Sequence, residues 1–288
     1  MSRLPRVFID GVGFWSPALP GWDAARMAMQ GHAPKTPADT PPQRPTAALL
    51  PANERRRAPD AVLLAVEAAQ AAVLDSGHDA AQLASVFTSA HGDLAVVDAL
   101  CSTLAANPLL LSPTRFHHSV HNAASGYWAI ASGSRQRSTA LAGYLYSFGA
   151  GLLEALALCA AEGAPVLLVG ADTEACGPMA SCNTSRGRLG VALVLSPHEG
   201  PRSRWSLDAV VGDGAAPASA LAPASAPASA PGSAPQTAAG LALAGNALAD
   251  ALPLFEALAL TRDASITMAV GPRAALALRI AAQQPPRA

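Results

Sequence analysis

Lysine is nearly missing from this chain: Lys35 is the single one among 19 lysines and arginines. Charge of any kind is sparse, at 14% of residues, and 19 basic side chains almost cancel 20 acidic ones. Neither sign dominates, which removes the electrostatic footprint that nucleic acid or an anionic membrane surface would need. Aromatic residues make up only 5% against an apolar total of 51%. Alanine supplies much of that total, which predicts slim helices that pack closely. The cysteines Cys101, Cys159, Cys176 and Cys182 form no CxxC pair. The opening MSRLPRVFIDG lacks the unbroken apolar stretch of a signal peptide. A reduced, cytoplasmic protein is the expectation. The best candidate for a membrane span is 139–157, but it holds Glu154, Ser147 and several glycines between strand-like segments. A span needs about 20 predominantly apolar residues, so none is expected.

With 288 residues there is material for one large or two small domains. Residues 6–14 read as a first strand, 22–30 as a short helix, and the proline-rich 34–51 as an extended loop. Apolar residues at helical spacing mark 59–76, with Pro59 in the first turn and Gly77 at the end. Residues 83–90 read as a strand, His91-Gly92-Asp93 as a turn, and 94–106 as a helix. Loop passing into helix follows at 117–133. Strands are expected at 138–142, 166–171, 188–196 and 204–211, and a helix at 147–162. Alternating strands and helices predict a layered α/β domain, with a largely parallel sheet, over 1–212.

Residues 215–240 are an Ala-Pro-Ser stretch without aromatic or charged side chains. Such a composition cannot offset the entropy of ordering, so 213–240 reads as a linker or disordered loop. The remaining 241–288 offers a helix at 241–260 with Pro253 inside it, a strand at 265–270 and an apolar helix at 273–282. That is too little for an independent domain and predicts a segment packed on the first.

The most informative stretch is RSTALAGYLYSFGAGLLEALALCAAEGAPVLLVGADTE, residues 137–174. It reads as strand, tight turn, amphipathic helix and buried strand. A bend feeding a helix exposes its last residue at the helix N-terminus, where N–H groups and the helix dipole stabilise a thiolate or oxyanion. The bend carries Tyr146-Ser147-Phe148-Gly149 and no cysteine. Tyr146 is a poor acyl acceptor, since a phenol ionises near pH ~10. Ser147 is the alternative nucleophile, although the serine elbow G-x-S-x-G would need glycine where Leu145 stands.

His117, His118 and His121 form a second cluster. His117 and His121 would share a helix face at a zinc-type i,i+4 spacing, but no Glu lies between them and no third ligand is evident. The other readings are polar residues lining a pocket or an interface. Cys159 falls mid-helix among apolar residues and reads as core. Cys176 and Cys182, in a Gly/Ser-rich loop, have no base at motif spacing. Arg55-Arg56-Arg57 is a basic run that reads as solvated surface or as a contact for an acidic protein or phosphate.

Taken together, RVFIDGVGFWSPA, SPTRFHHSVHNAASGYWAIASG (112–133, with Asn122 and Gly126) and STALAGYLYSFGAGLLEAL resemble the N-terminal half of a β-ketoacyl synthase of the thiolase-like superfamily. The likeness covers about residues 5–200 and is nearest to the short chain length factors of aryl-polyene-type clusters. It implies a thiolase-like α/β fold made of one ketosynthase half and a short C-terminal remnant. It places Tyr146 at the position of the family's nucleophilic cysteine. The second half, with the family's two catalytic histidines, has no counterpart. The resemblance therefore implies a subunit that does not condense acyl groups alone. It would pair with an active ketosynthase, bind acyl carrier protein at most as a further partner, and need no cofactor or metal. The side chains it places at a tunnel or interface are Phe116, His117, His118, His121, Asn122, Tyr127, Trp128, Tyr146 and Phe148.

Overall fold

The computed structural model describes residues 2–32, 44–183, 185–213 and 232–283. Residues 34–43 of the proline-rich stretch and 214–231 of the Ala-Pro-Ser stretch lie outside the described residues. The strands are β1 (Ser2–Arg3), β2 (Val7–Trp15), β3 (Ala84–Thr88), β4 (Ser138–Leu141), β5 (Val166–Asp172), β6 (Leu189–Ser196), β7 (Trp205–Asp213), β8 (Ala264–Gly271) and β9 (Ala274–Ala282). The helices are α1 (Trp22–Met29), α2 (Ala52–Arg57), α3 (Asp60–Ser76), α4 (Leu94–Ala106), α5 (Pro113–His118), α6 (Ala123–Ser132), α7 (Ser147–Glu162), α8 (Ala238–Leu243) and α9 (Leu252–Ala259).

The strands form one sheet in the order β4-β3-β5-β6-β2-β7-β9-β8, with β1 beside β7. Only β4 and β5 run parallel to their neighbour β3; every other pairing is antiparallel. The expected largely parallel sheet is thus corrected. Helical crossovers join β3 to β4 and β4 to β5, and these allow parallel pairing. With no α-helix between them, β5 and β6 reverse direction, as do β8 and β9. β7 begins where β6 ends and runs on past the start of β2, so only Val7, Phe8 and Ile9 link β2 to it.

β5 is buried along its whole length, and its alternate side chains feed two cores. Leu167, Val169 and Ala171 meet Phe87, Trp128 and the alanines of α3. Val166 and Leu168 meet α7, α1 and α9 on the other face, together with Leu276, Leu278 and Ile280 of β9. The alanine content has a local cause at α3. A β-carbon on Gly11 or Gly13 of β2 would overlap the backbone carbonyl of Ala72 or Ala68. Small residues on both partners let that helix lie directly on the strand.

The C-terminal segment departs from its expected helices. Residues 273–282 are not a helix but β9, paired with β7 along its length. Leu276, Leu278 and Ile280 are buried at period two, and this burial outweighs the helical preference of the alanines and leucines around them. The expected helix 241–260 is split into α8, a short 3-10 turn (Ala249–Ala251) and α9, with Pro253 in the first turn of α9. Residues 232–240, expected as linker, are docked. The buried Glu256 carboxylate accepts the Gln236 N–H, the Thr237 N–H and the Thr237 hydroxyl, and Gly232 bridges Met268 of β8.

Candidate functional site

At the ends of β3, β4 and β5 lies the turn that opens α7. Tyr144 takes the left-handed conformation (φ 53°), Tyr146 sits just ahead of the helix, and Ser147 begins it. The Tyr144 ring meets His91 edge-on at 5.7 Å. Tyr146 is buried against the turn, with its N–H donating to the Gly143 carbonyl. Thr88, at the end of β3, donates its hydroxyl to the Ser147 carbonyl at 2.7 Å and so ties the bend to the sheet.

Ser147 is not poised for attack. It is fully buried, its hydroxyl donates to the Tyr144 carbonyl at 2.8 Å, and the same oxygen accepts the Gly143 N–H at 3.0 Å. Both roles hold the turn, and no histidine reaches the hydroxyl among the described contacts. The helix N–H groups are also engaged. Asp250, from the 3-10 turn before α9, accepts the N–H groups of Phe148 (2.9 Å) and Gly149 (3.2 Å) through Oδ2. Gly149 is needed for another reason: a β-carbon there would overlap the Ala269 carbonyl of β8.

A second carboxylate stands behind the first. Asp172, at the end of β5, is fully buried and accepts the Ser89 hydroxyl (2.7 Å) and the N–H groups of Ala90 (2.8 Å) and His91 (3.2 Å). Burial pushes its carboxyl up to about 6 against those hydrogen bonds. Burial, aided by the charge of Asp172, pushes Asp250 up to about 7. Asn246 stitches the C-terminal segment to the same corner, its amide donating to the carbonyls of Asp172, Arg186 and Gly187. Neither aspartate was picked out in the sequence, because each meets its partners across long chain separations and belongs to no motif.

The cysteines are in no better state to react. Burial pushes the Cys159 thiol up to about 12. Burial and the carboxylates of Asp98, Asp93 and Glu174 raise that of Cys176, which keeps it a protonated thiol. Cys182 is exposed, with the Ser181 hydroxyl 3.6 Å from its sulfur.

α5 ends at His118, so His117 and His121 do not share a helix face, and no group of three ligating side chains occurs among the described residues. His118 is buried, 2.9 Å from the Tyr127 hydroxyl, and burial lowers its pKa. His121 is exposed and lies 3.1 Å from the Ser89 carbonyl. Together with Thr88, Ser89 and Asp93 they edge a cavity of about 30 Å³, room for one water-sized molecule, walled by Val62, Phe87 and Val169. Phe116, His117 and Asn122 are exposed. Trp128 and Phe148 are fully buried, Trp128 in the cluster that includes the alanines of α3 and Phe148 in the cluster that includes α7.

One constellation went unnoticed in the sequence. Asp10 takes His78 Nε2 (2.9 Å) and the Ser196 hydroxyl on one oxygen, and the Ser203 hydroxyl (2.7 Å) on the other. The residue types are those of a triad but the geometry is not. Ser196 gives its proton to the carboxylate, and the histidine uses one nitrogen toward both partners rather than bridging them. It also sits at the opposite end of β5 and β6 from the Tyr146 turn.

The profile of the family described as beta-ketoacyl synthase, N-terminal domain, matches residues 27–251. The chain belongs to the β-ketoacyl synthase family. No curated protein sequence matches it. Among solved structures it is similar to a chain of the ketosynthase (ApeO) in complex with its chain length factor (ApeC) from Xenorhabdus doucetiae. That likeness has 22% identity and a TM-score of 0.67, over 95% of this chain and 98% of that one. A chain of the ishigamide ketosynthase/chain length factor matches at 16% identity and TM-score 0.67, over 96% and 99%. A β-ketoacyl synthase from Burkholderia phymatum matches at 15% identity and TM-score 0.56, over 74% of this chain and 66% of that one. The fold is the thiolase-like fold of ketosynthases in the form of one N-terminal half. Among the described residues one helical stretch, 144–162, is long and apolar enough to cross a membrane; it is made of the Tyr144–Tyr146 turn and α7, and α7 packs against β3, β5 and β8.

Proposed function

We propose that the chain is a non-catalytic ketosynthase-like subunit, a chain length factor, that pairs with an active ketosynthase and shapes its acyl tunnel in fatty acid or polyketide synthesis of the aryl-polyene type. The observation that carries this reading is the state of the α7 N-terminus. Acyl transfer needs a thiolate and unoccupied donors for the developing oxyanion. By the resemblance Tyr146 stands where the nucleophile would be; the Ser147 hydroxyl is committed to its own turn, and Asp250 takes the N–H groups of Phe148 and Gly149. A ketosynthase scaffold in that state has architecture to offer but no nucleophile.

Two further observations support pairing. β4 ends the sheet, with no strand on its outer side among the described residues, and an open edge is a template for another chain. Apolar side chains gather in the same half: Leu104, Leu109, Leu110, Phe116 and Ile130 are more than half exposed. The two matched chains from ketosynthase–chain length factor structures also have about this chain's length, whereas the ketosynthase match leaves a third of that protein uncovered. In this reading Phe116, His117, His121 and Asn122 face the partner. His118, Tyr127 and Tyr146 back the tunnel wall, with Trp128 and Phe148 bracing it from within. Bulky groups in a close-packed wall stop a growing chain because an added methylene finds no space. Acyl carrier protein would bring substrate to the assembled pair.

Co-expression with the ketosynthase encoded beside it tests the proposal. The expected result is a stable one-to-one heterodimer in which an acyl-thioester probe labels only the ketosynthase. A chain that remains monomeric in the presence of that ketosynthase would overturn the reading. So would labelling of this chain that disappears in Ser147→Ala.

A further inference from the structure

The N-terminus of a helix attracts anions through unpaired N–H groups and the dipole. In α7 the occupant is the chain's own Asp250, about a hundred residues further along. Although Asp250 as a residue is only partly buried, its Oδ1 is out of reach of solvent and has no hydrogen-bond partner among the described residues. Its Oδ2 contacts hold the segment that carries Asn246, the 3-10 turn and α9 against the Tyr146 turn. Asp172 makes the matching attachment on the other side, gathering Ser89, Ala90 and His91.

We propose that Asp250 and Asp172 form a proton-operated latch that clamps the C-terminal segment 246–259 onto the N-terminal end of α7 and the loop 89–91 onto the adjoining end of β5. This does not depend on the partner reading and can be read on the isolated chain. The groups around Asp250 favour its neutral form. β5 contributes Asp172, a like charge that disfavours ionisation. α9 contributes Glu256, already bonded to Gln236 and Thr237. The bend contributes the Tyr144 and Tyr146 side chains, and α7 carries Glu154 further along. His91, beside Tyr144, is also biased toward its neutral form by burial. A charged Asp250 is favoured by the N–H groups of Gly149, Phe148 and Asp250 itself and by the helix dipole, and desolvation outweighs them.

The direction of the switch follows from the pKa shifts. The closed form raises Asp250 to about 7 and Asp172 to about 6, whereas a solvated aspartate ionises near ~4. The closed form therefore binds more protons than the open one. It is most favoured at low pH and loosens as pH rises through the closed-state values. For Asp250 the closed-to-open ratio falls about tenfold per pH unit between roughly pH 5 and 7 and levels off above. Near neutral pH the latch stands at its own titration point.

The test is amide hydrogen exchange on the full chain from pH 5 to 8.5, corrected for the intrinsic pH dependence. Opening at Phe148 and Gly149 is expected to rise about tenfold per pH unit up to pH 7 and then flatten. Ala90 and His91 are expected to follow with a midpoint lower by about one unit. In Asp250→Asn the rise at Phe148 and Gly149 should vanish, and in Asp172→Asn the rise at Ala90 and His91 should vanish. A flat wild-type profile, a profile of opposite slope, or an unchanged slope in Asp250→Asn overturns the latch. Should the variants fail to fold, the carboxyl ¹³C titration of the wild type decides. An Asp250 midpoint below pH 5 overturns the proposal, and one between 6 and 8 supports it.

Discussion

Phe255→Ala puts the docking of the C-terminal segment to a quantitative test. Phe255, on α9, is fully buried, and its ring meets Phe14 of β2 at 5.9 Å, Trp22 of α1 at 6.0 Å and Phe148 of α7 at 6.0 Å, all at steep angles. One side chain therefore joins the C-terminal segment to the first strand, the first helix and the first turn of α7. Truncating a buried phenylalanine costs about 3–5 kcal/mol, and aromatic contacts of this geometry favour the upper part of that range. Total stability in domains is about 5–15 kcal/mol, so about a quarter or more would be lost. In urea, with a slope of about 2–3 kcal/mol/M, the midpoint should fall by about 1–2 M without a change of slope. Leu241→Ala is the control. That side chain is 59% exposed on α8, and its loss should cost no more than about 0.5 kcal/mol. A Phe255→Ala midpoint within about 0.3 M of wild type would refute the reasoning, because α9 would then be no part of the core.

Gly149→Ala should cost about 1–3 kcal/mol, since the new methyl overlaps a backbone carbonyl of β8 that cannot swing away like a side chain. Thermal unfolding measures this, and a wild-type melting temperature would contradict the close approach of α7 and β8. A thiol reagent at pH 8 should modify the exposed Cys101 and Cys182 in the native protein and reach Cys159 only on unfolding. Mass-resolved labelling that finds Cys159 modified in native buffer would contradict its place in the core.

The sequence exposes those elements whose local pattern and burial agree. α7 and β5 are legible because the first is a long apolar helix ended by Gly163 in the left-handed conformation and the second is buried on both faces. β9 was misread because its period-two burial is written in alanine and leucine, residues that favour helix when no neighbour is considered. Its strand conformation comes from β7, roughly 70 residues away in sequence. The parallel character of the sheet was overestimated for a related reason. Helical crossovers between parallel strands occur only up to β5; beyond it α8 and α9 lie between β7 and β8, but no strand pairs in parallel. At the site, the turn Tyr146-Ser147-Phe148-Gly149 without a cysteine is visible in the sequence, but the closure of the helix end is not. That closure depends on Asp250, whose neighbours Leu248 and Leu252 give no hint that a carboxylate will be carried into α7.

The chemistry of that closure bears on why a carboxylate is there at all. If filling the α7 N-terminus served stability alone, an asparagine would accept the same two N–H groups without bringing a charge out of water. A buried Asp250 is costlier at neutral pH, since burial and the neighbouring Asp172 both oppose its ionisation. Its second oxygen finds no hydrogen-bond partner among the described residues. The expense is smallest when the group is protonated, so aspartate makes the grip on α7 depend on pH where asparagine would make it constant. Asp250→Asn separates the two possibilities. A variant more stable than wild type at pH 8 and no more stable at pH 5 means that the carboxylate is held at the expense of stability for its titration. A variant less stable at both pH values means that the charge strengthens the cap, and burial is then the weaker influence on this turn.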